Sequence, residues 1–140
     1  MIGLSDRKGD RLIMGKGRIL VMDDEEIIRD VLSSMLEFLG YEVEFSLDGQ
    51  DALDKYREAM QRDKRFDAII MDLTIPGGKG GKEAIHDLRE IDPGVRAIVS
   101  SGYSTDPVMS NCTEYGFTGV VKKPFKIEEV DEVLDQTLKK

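Results

Sequence analysis

The sequence predicts an α/β protein whose five parallel strands form one doubly wound sheet with helices on both faces. Three observations carry this. Short apolar runs of strand length occur five times between Ile19 and Lys122. Each is followed by a stretch whose apolar residues recur at helical spacing. The chain has 140 residues, 40% of them hydrophobic, the size of one ordinary domain with enough apolar material for a core. Strands that alternate with helices pair in parallel through right-handed crossovers, which cover both faces of the sheet.

Ile19-Leu20-Val21-Met22 is an uninterrupted apolar run ending in acids, as a strand buried on both faces requires. Ile27, Ile28, Val31, Leu32, Met35, Leu36 and Leu39 then mark a helix that Gly40 stops. Val43 to Ser46 is a second strand, shorter and more polar, and so expected near a sheet edge. Asp48 or Gly49 opens a helix with Ala52, Leu53, Tyr56, Ala59 and Met60 on one face. Ala68 to Met71 is the third strand, stopping at Asp72. Pro76-Gly77-Gly78-Lys79-Gly80-Gly81 reads as a flexible loop, because it lacks the Lys-Ser/Thr ending of a phosphate-cradling loop. Ala84, Ile85, Leu88 and Ile91 form the next helix, ended by Pro93-Gly94. Val95 to Ser100 is the fourth strand, followed by Ser101-Gly102 and a weakly periodic helix over Asp106 to Tyr115. Gly119 to Lys122 is the fifth strand, and Ile127, Val130, Val133, Leu134 and Leu138 give the last helix.

With 28 acidic and 20 basic residues the net charge is −8, which argues against nonspecific affinity for nucleic acid or an anionic membrane. No apolar run approaches the roughly 20 residues of a membrane span, and Met1 to Lys16 is too polar for a secretory signal. The single Cys112 excludes an internal disulfide and suits a reducing cytoplasm, where the protein is expected. Residues 1–17 carry Arg7, Lys8, Arg11 and Lys16 against Asp6 and Asp10, with four glycines. They read as a linker or tail before a domain at 18–140. Cys112 is expected to be small and partly buried, His86 to lie on the surface, and Met22, Met35, Met60 and Met71 to serve the core.

In such sheets ligands bind beyond the carboxyl ends of the strands. There stand Asp23-Asp24, Asp72, Ser101 and Lys123. In the strand order 2-1-3-4-5 these residues line one edge, whereas the dinucleotide-binding order separates the acids. A dinucleotide's pyrophosphate would also meet Asp23-Asp24-Glu25-Glu26 where a glycine-rich turn is needed. Taken singly, each residue has a structural explanation: acids at a helix start, a strand-ending turn, a solvated lysine pair. Their coincidence at four strand ends points to chemistry. Three converging carboxylates repel unless a cation shares them, and Mg²⁺ suits such a partial oxygen cage. A carboxylate beside Mg²⁺, an ammonium and a hydroxyl is suited to accept a phosphoryl group.

Four blocks carry a family resemblance: Ile19 to Glu25, Ile70 to Gly77, Val99 to Tyr103 and Gly119 to Phe125. In order and separation they closely resemble the receiver domain of two-component response regulators, over about residues 18–138. The resemblance implies the flavodoxin-like sheet order 2-1-3-4-5. It implies that Asp72 is the phosphoacceptor, taking its phosphoryl group from a histidine kinase or histidine phosphotransfer protein. Asp24 would bind Mg²⁺ (or Mn²⁺) directly, Asp23 largely through water, and the Thr74 carbonyl would complete the protein ligands. Ser101 would supply the switching hydroxyl and Lys123 would pair with the phosphoryl oxygens, with the Lys123-Pro124 peptide cis. Thr74 and Tyr103 fall where the family tunes the acyl-phosphate lifetime. Val120 stands where many members carry a Tyr or Phe that swings inward, so the aromatic half of that switch is absent here.

The loop Thr74 to Gly78 and the run Gly116 to Phe125 look like receivers of hybrid sensor histidine kinases, which residues 1–17 would join to the rest; a stand-alone regulator is the other reading. Such a domain is a signalling module that catalyses only its own phosphorylation and slow dephosphorylation. It is expected to signal, and to dimerise on phosphorylation, through the fourth helix, fifth strand and fifth helix. The competing class is a Mg²⁺-dependent phosphohydrolase with an aspartyl-phosphate intermediate. Enzymes of the haloacid dehalogenase type place an acid two residues after the nucleophile, where this sequence has Thr74.

Overall fold

The computed structural model describes residues 15–103 and 105–139. Most of the expected tail therefore lies outside the described residues. The elements run β1 (Gly17–Met22), α1 (Glu26–Phe38), β2 (Tyr41–Ser46), α2 (Gly49–Gln61), β3 (Ala68–Asp72), α3 (Gly81–Ile91), β4 (Ala97–Ser101), α4 (Pro107–Ser110), a 3₁₀ turn (Cys112–Tyr115), β5 (Gly119–Lys122) and α5 (Ile127–Leu138). The sheet order is β2-β1-β3-β4-β5 with every pair parallel, the doubly wound architecture expected.

Strand alternation divides the core into two apolar layers. Leu20, Met22, Ile69, Met71, Ala97 and Val99 pack toward α2 and α3, with Phe117 and Val108 completing that side. Ile19, Val21, Ala68, Ile70, Ile98 and Val121 face the other way, onto Leu32 and Leu36 of α1 and Val130 and Leu134 of α5. Because both faces are covered, the central strands contain almost no polar residue until they reach their carboxyl ends. Register brings those ends together: Met22 lies opposite Met71, Asp72 opposite Ser100, and Ser101 opposite Lys122.

Several boundaries differ from the sequence reading. β2 begins at Tyr41, two residues early, because the buried Tyr41 pairs with Gly17 and the exposed Glu42 and Glu44 are held by Arg18. β4 runs from Ala97 and includes Ser101. The fourth helix is two short turns. Asp106 caps the first by accepting from the Val108 N–H at 3.0 Å, Asn111 breaks it at φ −130°, and Gly116 ends the second at φ +100°. Met22 and Met71 are buried, whereas Met35 and Met60 are partly buried at the margins of the layers. Cys112 is a free, partly buried thiol whose pKa burial raises, and His86 is exposed.

Candidate functional site

Asp23 follows β1 directly and is 2% exposed. Its backbone N–H donates to the Ser46 carbonyl at 3.1 Å, tying it to the end of the edge strand. Both carboxylate oxygens are engaged: Oδ1 accepts from the Glu25 N–H at 2.9 Å, and Oδ2 from Lys123 Nζ at 2.9 Å. Asp24, next in the chain, is exposed to solvent. Asp72 closes β3 at 8% exposure, with Oδ1 3.3 Å from the same Lys123 Nζ. One carboxylate oxygen from each of Asp23, Asp24 and Asp72 falls within a single 4.8 Å cluster.

The electrostatics follow from this crowding. Burial, and then the neighbouring Asp23 charge, push the Asp72 carboxyl up to about 6 against the opposing pull of Lys123. Burial alone would lower the Lys123 ammonium, but its hydrogen bond to Asp23 and the charge of Asp72 outweigh that and raise it. One ammonium thus serves two carboxylates while the third faces water. A divalent cation fits: every donor is a hard oxygen, the three are close enough to share an ion, and Asp72 is disfavoured in its ionised form until further positive charge arrives.

Ser101 is buried at the end of β4, and its Oγ accepts from the Tyr103 N–H at 2.9 Å. Asp24, Asp72, Thr74, Ser101, Tyr103 and Lys123 all line one open cavity of about 450 Å³. Thr74 and Tyr103 are exposed at its rim, and the Lys123-Pro124 peptide is cis. Val120 lies outside it, partly buried, packed against the α2/α3 apolar layer.

Two features were not legible in the sequence. Arg29, one turn into α1, donates from Nη1 to the Asp23 carbonyl at 2.9 Å and lies over the Phe45 ring, bracing the acid loop. A cation at that distance after paired acids is its only sequence signal. The glycine-rich loop, read as flexible, is tightly packed at its end. A Cβ on Gly80 would lie 2.6 Å from the Leu73 carbonyl oxygen, and one on Gly81 2.9 Å from that of Asp72. These glycines let α3 start directly against the backbone of Asp72.

A parallel sheet in this order, with a buried aspartate at the end of its central strand flanked by two further acids, a lysine and a hydroxyl, defines a phosphoacceptor receiver of two-component signalling. The chain belongs to the response regulator receiver domain family, whose model matches residues 19–135. It is 32% identical to the chemotaxis protein CheY of Thermotoga maritima over 90% of this chain and all of that protein. It is 34% identical to a response regulator receiver protein of Anaeromyxobacter over 81% of this chain, and spans 45% of that protein's length. It is 27% identical to the osmosensing histidine protein kinase SLN1 of Saccharomyces cerevisiae, of which it spans 10%. Among solved structures it resembles the receiver domain of the Pseudomonas aeruginosa sensor histidine kinase PA1611, which holds a magnesium ion in its active-site cleft. That likeness has TM-score 0.77 and 27% identity, covering 89% of this chain and 98% of the other. Among the described residues no helix is long and apolar enough to cross a membrane.

Proposed function

We propose that Asp72 accepts a phosphoryl group from a phosphohistidine, with Asp24 and Asp72 as the direct carboxylate ligands of Mg²⁺ and the Thr74 carbonyl beside them. Asp23, with both oxygens already accepting hydrogen bonds, is suited to hold the ion through water. The observation that carries the reading is the shared position of Lys123, 2.9 Å from Asp23 and 3.3 Å from Asp72. An ammonium there meets the oxygens of a phosphoryl group on Asp72 without leaving its anchor. The bound ion would supply charge neutralisation for the phosphoryl oxygens.

In the transfer, a carboxylate oxygen of Asp72 forms a bond to phosphorus as the phosphorus–nitrogen bond of the donor imidazole breaks, the electron pair leaving with the imidazole. Lys123 neutralises charge on the phosphoryl oxygens. Ser101, whose oxygen accepts from Tyr103, is free to donate its own proton to one of them. Thr74 and Tyr103 at the rim control the approach of water. The donor is a histidine kinase or histidine phosphotransfer protein on the cytoplasmic side. Output, including phosphorylation-dependent pairing, is placed on the face of α4, β5 and α5, where Val120 sits.

Incubation with acetyl phosphate and Mg²⁺ followed by intact-mass measurement tests this. Wild type is expected to gain one phosphoryl group and Asp72→Asn none. The absence of an adduct at every Mg²⁺ concentration, or an adduct that persists in Asp72→Asn, overturns it.

A further inference from the structure

A second surface lies on the α2/α3 side, where α3 meets the 3₁₀ turn. Lys82, Ile85, His86, Arg89, Pro93 and Tyr115 line a groove of about 400 Å³. Lys82, His86 and Arg89 follow one another at four- and three-residue spacing, which puts them along one helix face. The acids of α3 are mostly occupied elsewhere: Glu83 accepts from the Gly80 N–H at 3.0 Å, and Asp87 pairs with Lys79 at 3.1 Å. Glu90 alone among them also lines the groove, 3.9 Å from His86. Among the described residues, neither Lys82 nor Arg89 takes part in an ion pair. In a chain of net charge −8, these two cations on one helix face are open to carboxylates from outside the molecule.

The groove is also built rather than incidental. Gly116, at φ +100°, lies against the stem of Arg89: a Cβ there would fall 2.8 Å from Arg89 Cδ and 3.2 Å from Ile85 Cγ1. The glycine therefore lets the arginine lie along the turn, and Tyr115, 39% exposed, lines the same groove. Arginine and tyrosine around a small apolar floor are the residues that most often anchor protein interfaces.

We infer that the groove between α3 and the 3₁₀ turn is a docking surface for an acidic amphipathic helix of a partner protein, its apolar residue seated on Ile85 and Tyr115 and its carboxylates on Lys82 and Arg89. A solvent-open groove with cations seven residues apart, roughly 10 Å along the α3 axis, suits a helix better than a small anion, which needs an enclosed site. The surface uses none of the acid-pocket residues, so the unphosphorylated protein binds.

Selection of helical peptides from a displayed random library on the unphosphorylated full chain tests it. The selected peptides are expected to carry Asp or Glu on one face around a single Leu, Phe or Trp, and to weaken as salt is raised. The double variant Lys82→Glu with Arg89→Glu, both exposed positions, is expected to bind at least ten-fold more weakly at an unchanged melting temperature. Amide shifts on titration should cluster at Ile85, Arg89 and Tyr115. No selected peptide, basic or uncharged peptides, shifts confined to another face, or affinity indifferent to the charge reversals would overturn the assignment. So would retention of a single-stranded oligonucleotide by the same cations in place of acidic peptides.

Discussion

Asp72 combines two demands that conflict until a cation arrives. To serve as the proposed phosphoacceptor it must be ionised, yet burial and Asp23 hold its carboxyl up at about 6. Because the folded state favours the protonated form, Asp72 contributes stability that is full below its ordinary value near 4 and is lost as pH rises through 6. Without metal, the protein therefore carries a strained carboxylate at pH 8. Asp72→Asn removes it and keeps the shape. In EDTA the variant is expected to be more stable than wild type at pH 8, by on the order of 1–3 kcal/mol, and to lose most of that advantage at pH 4.5. Urea midpoints of the two proteins at the two pH values measure this; an equal difference at both would mean that Asp72 is not the strained group. Lys123→Ala acts in the opposite sense, leaving Asp23 and Asp72 without their shared ammonium. Its acetyl phosphate adduct should form roughly 100-fold more slowly, by analogy with removal of one preorganised electrostatic group, as followed by timed intact-mass measurement. An undiminished rate would detach Lys123 from the chemistry.

At the scale of elements, the loop from β3 to α3 fixes where Asp72 points. Gly80 and Gly77 make a contrast within one loop. Gly80 has ordinary φ but no room, with the Leu73 carbonyl 2.6 Å from a would-be Cβ; Gly77 has room but φ +73°. Gly80→Ala must displace backbone beside Asp72, the proposed acceptor, so it should cost about 1–3 kcal/mol and also slow adduct formation. Gly77→Ala should cost about 1–2 kcal/mol with little change in rate per folded molecule. Urea titration and adduct timing on both variants check the split, and equal rates would show that the loop does not position Asp72. The same elements mark what sequence could tell. The central strands and the four long helices were legible because their apolar runs and stripes are dictated by two covered faces, and the strand ends made Asp23, Asp24, Asp72, Ser101 and Lys123 stand out. The fourth helix was not legible as two turns, since the cap at Asp106 and Pro107 signal a start while the break at Asn111 depends on backbone geometry. Nor was the packing role of Gly80 and Gly81, because close approach to a carbonyl leaves no mark in composition.

For the molecule as a whole, the site sits where four of the five strands end, so a ligand there ties β1, β3 and their flanking loops together in the folded state alone. The unfolded chain disperses Asp23, Asp24 and Asp72 and offers no such cage. Mg²⁺ bound at this proposed site is then expected to stabilise the fold by mass action, by about 2.7 kcal/mol at one hundred times its dissociation constant, which raises the melting temperature by several degrees. General screening of the −8 net charge also stabilises a compact state, so the control is monovalent salt at matched ionic strength. The expected result is a rise with MgCl₂ that NaCl does not reproduce. Asp24 separates the two effects further, because it is solvent-exposed and its removal leaves the core and the Lys123 pairs intact. Asp24→Ala should therefore fold normally, melt near the wild-type temperature in EDTA, and lose the Mg²⁺-specific rise. A rise as large as that of wild type would mean that the ion binds away from the acid cluster.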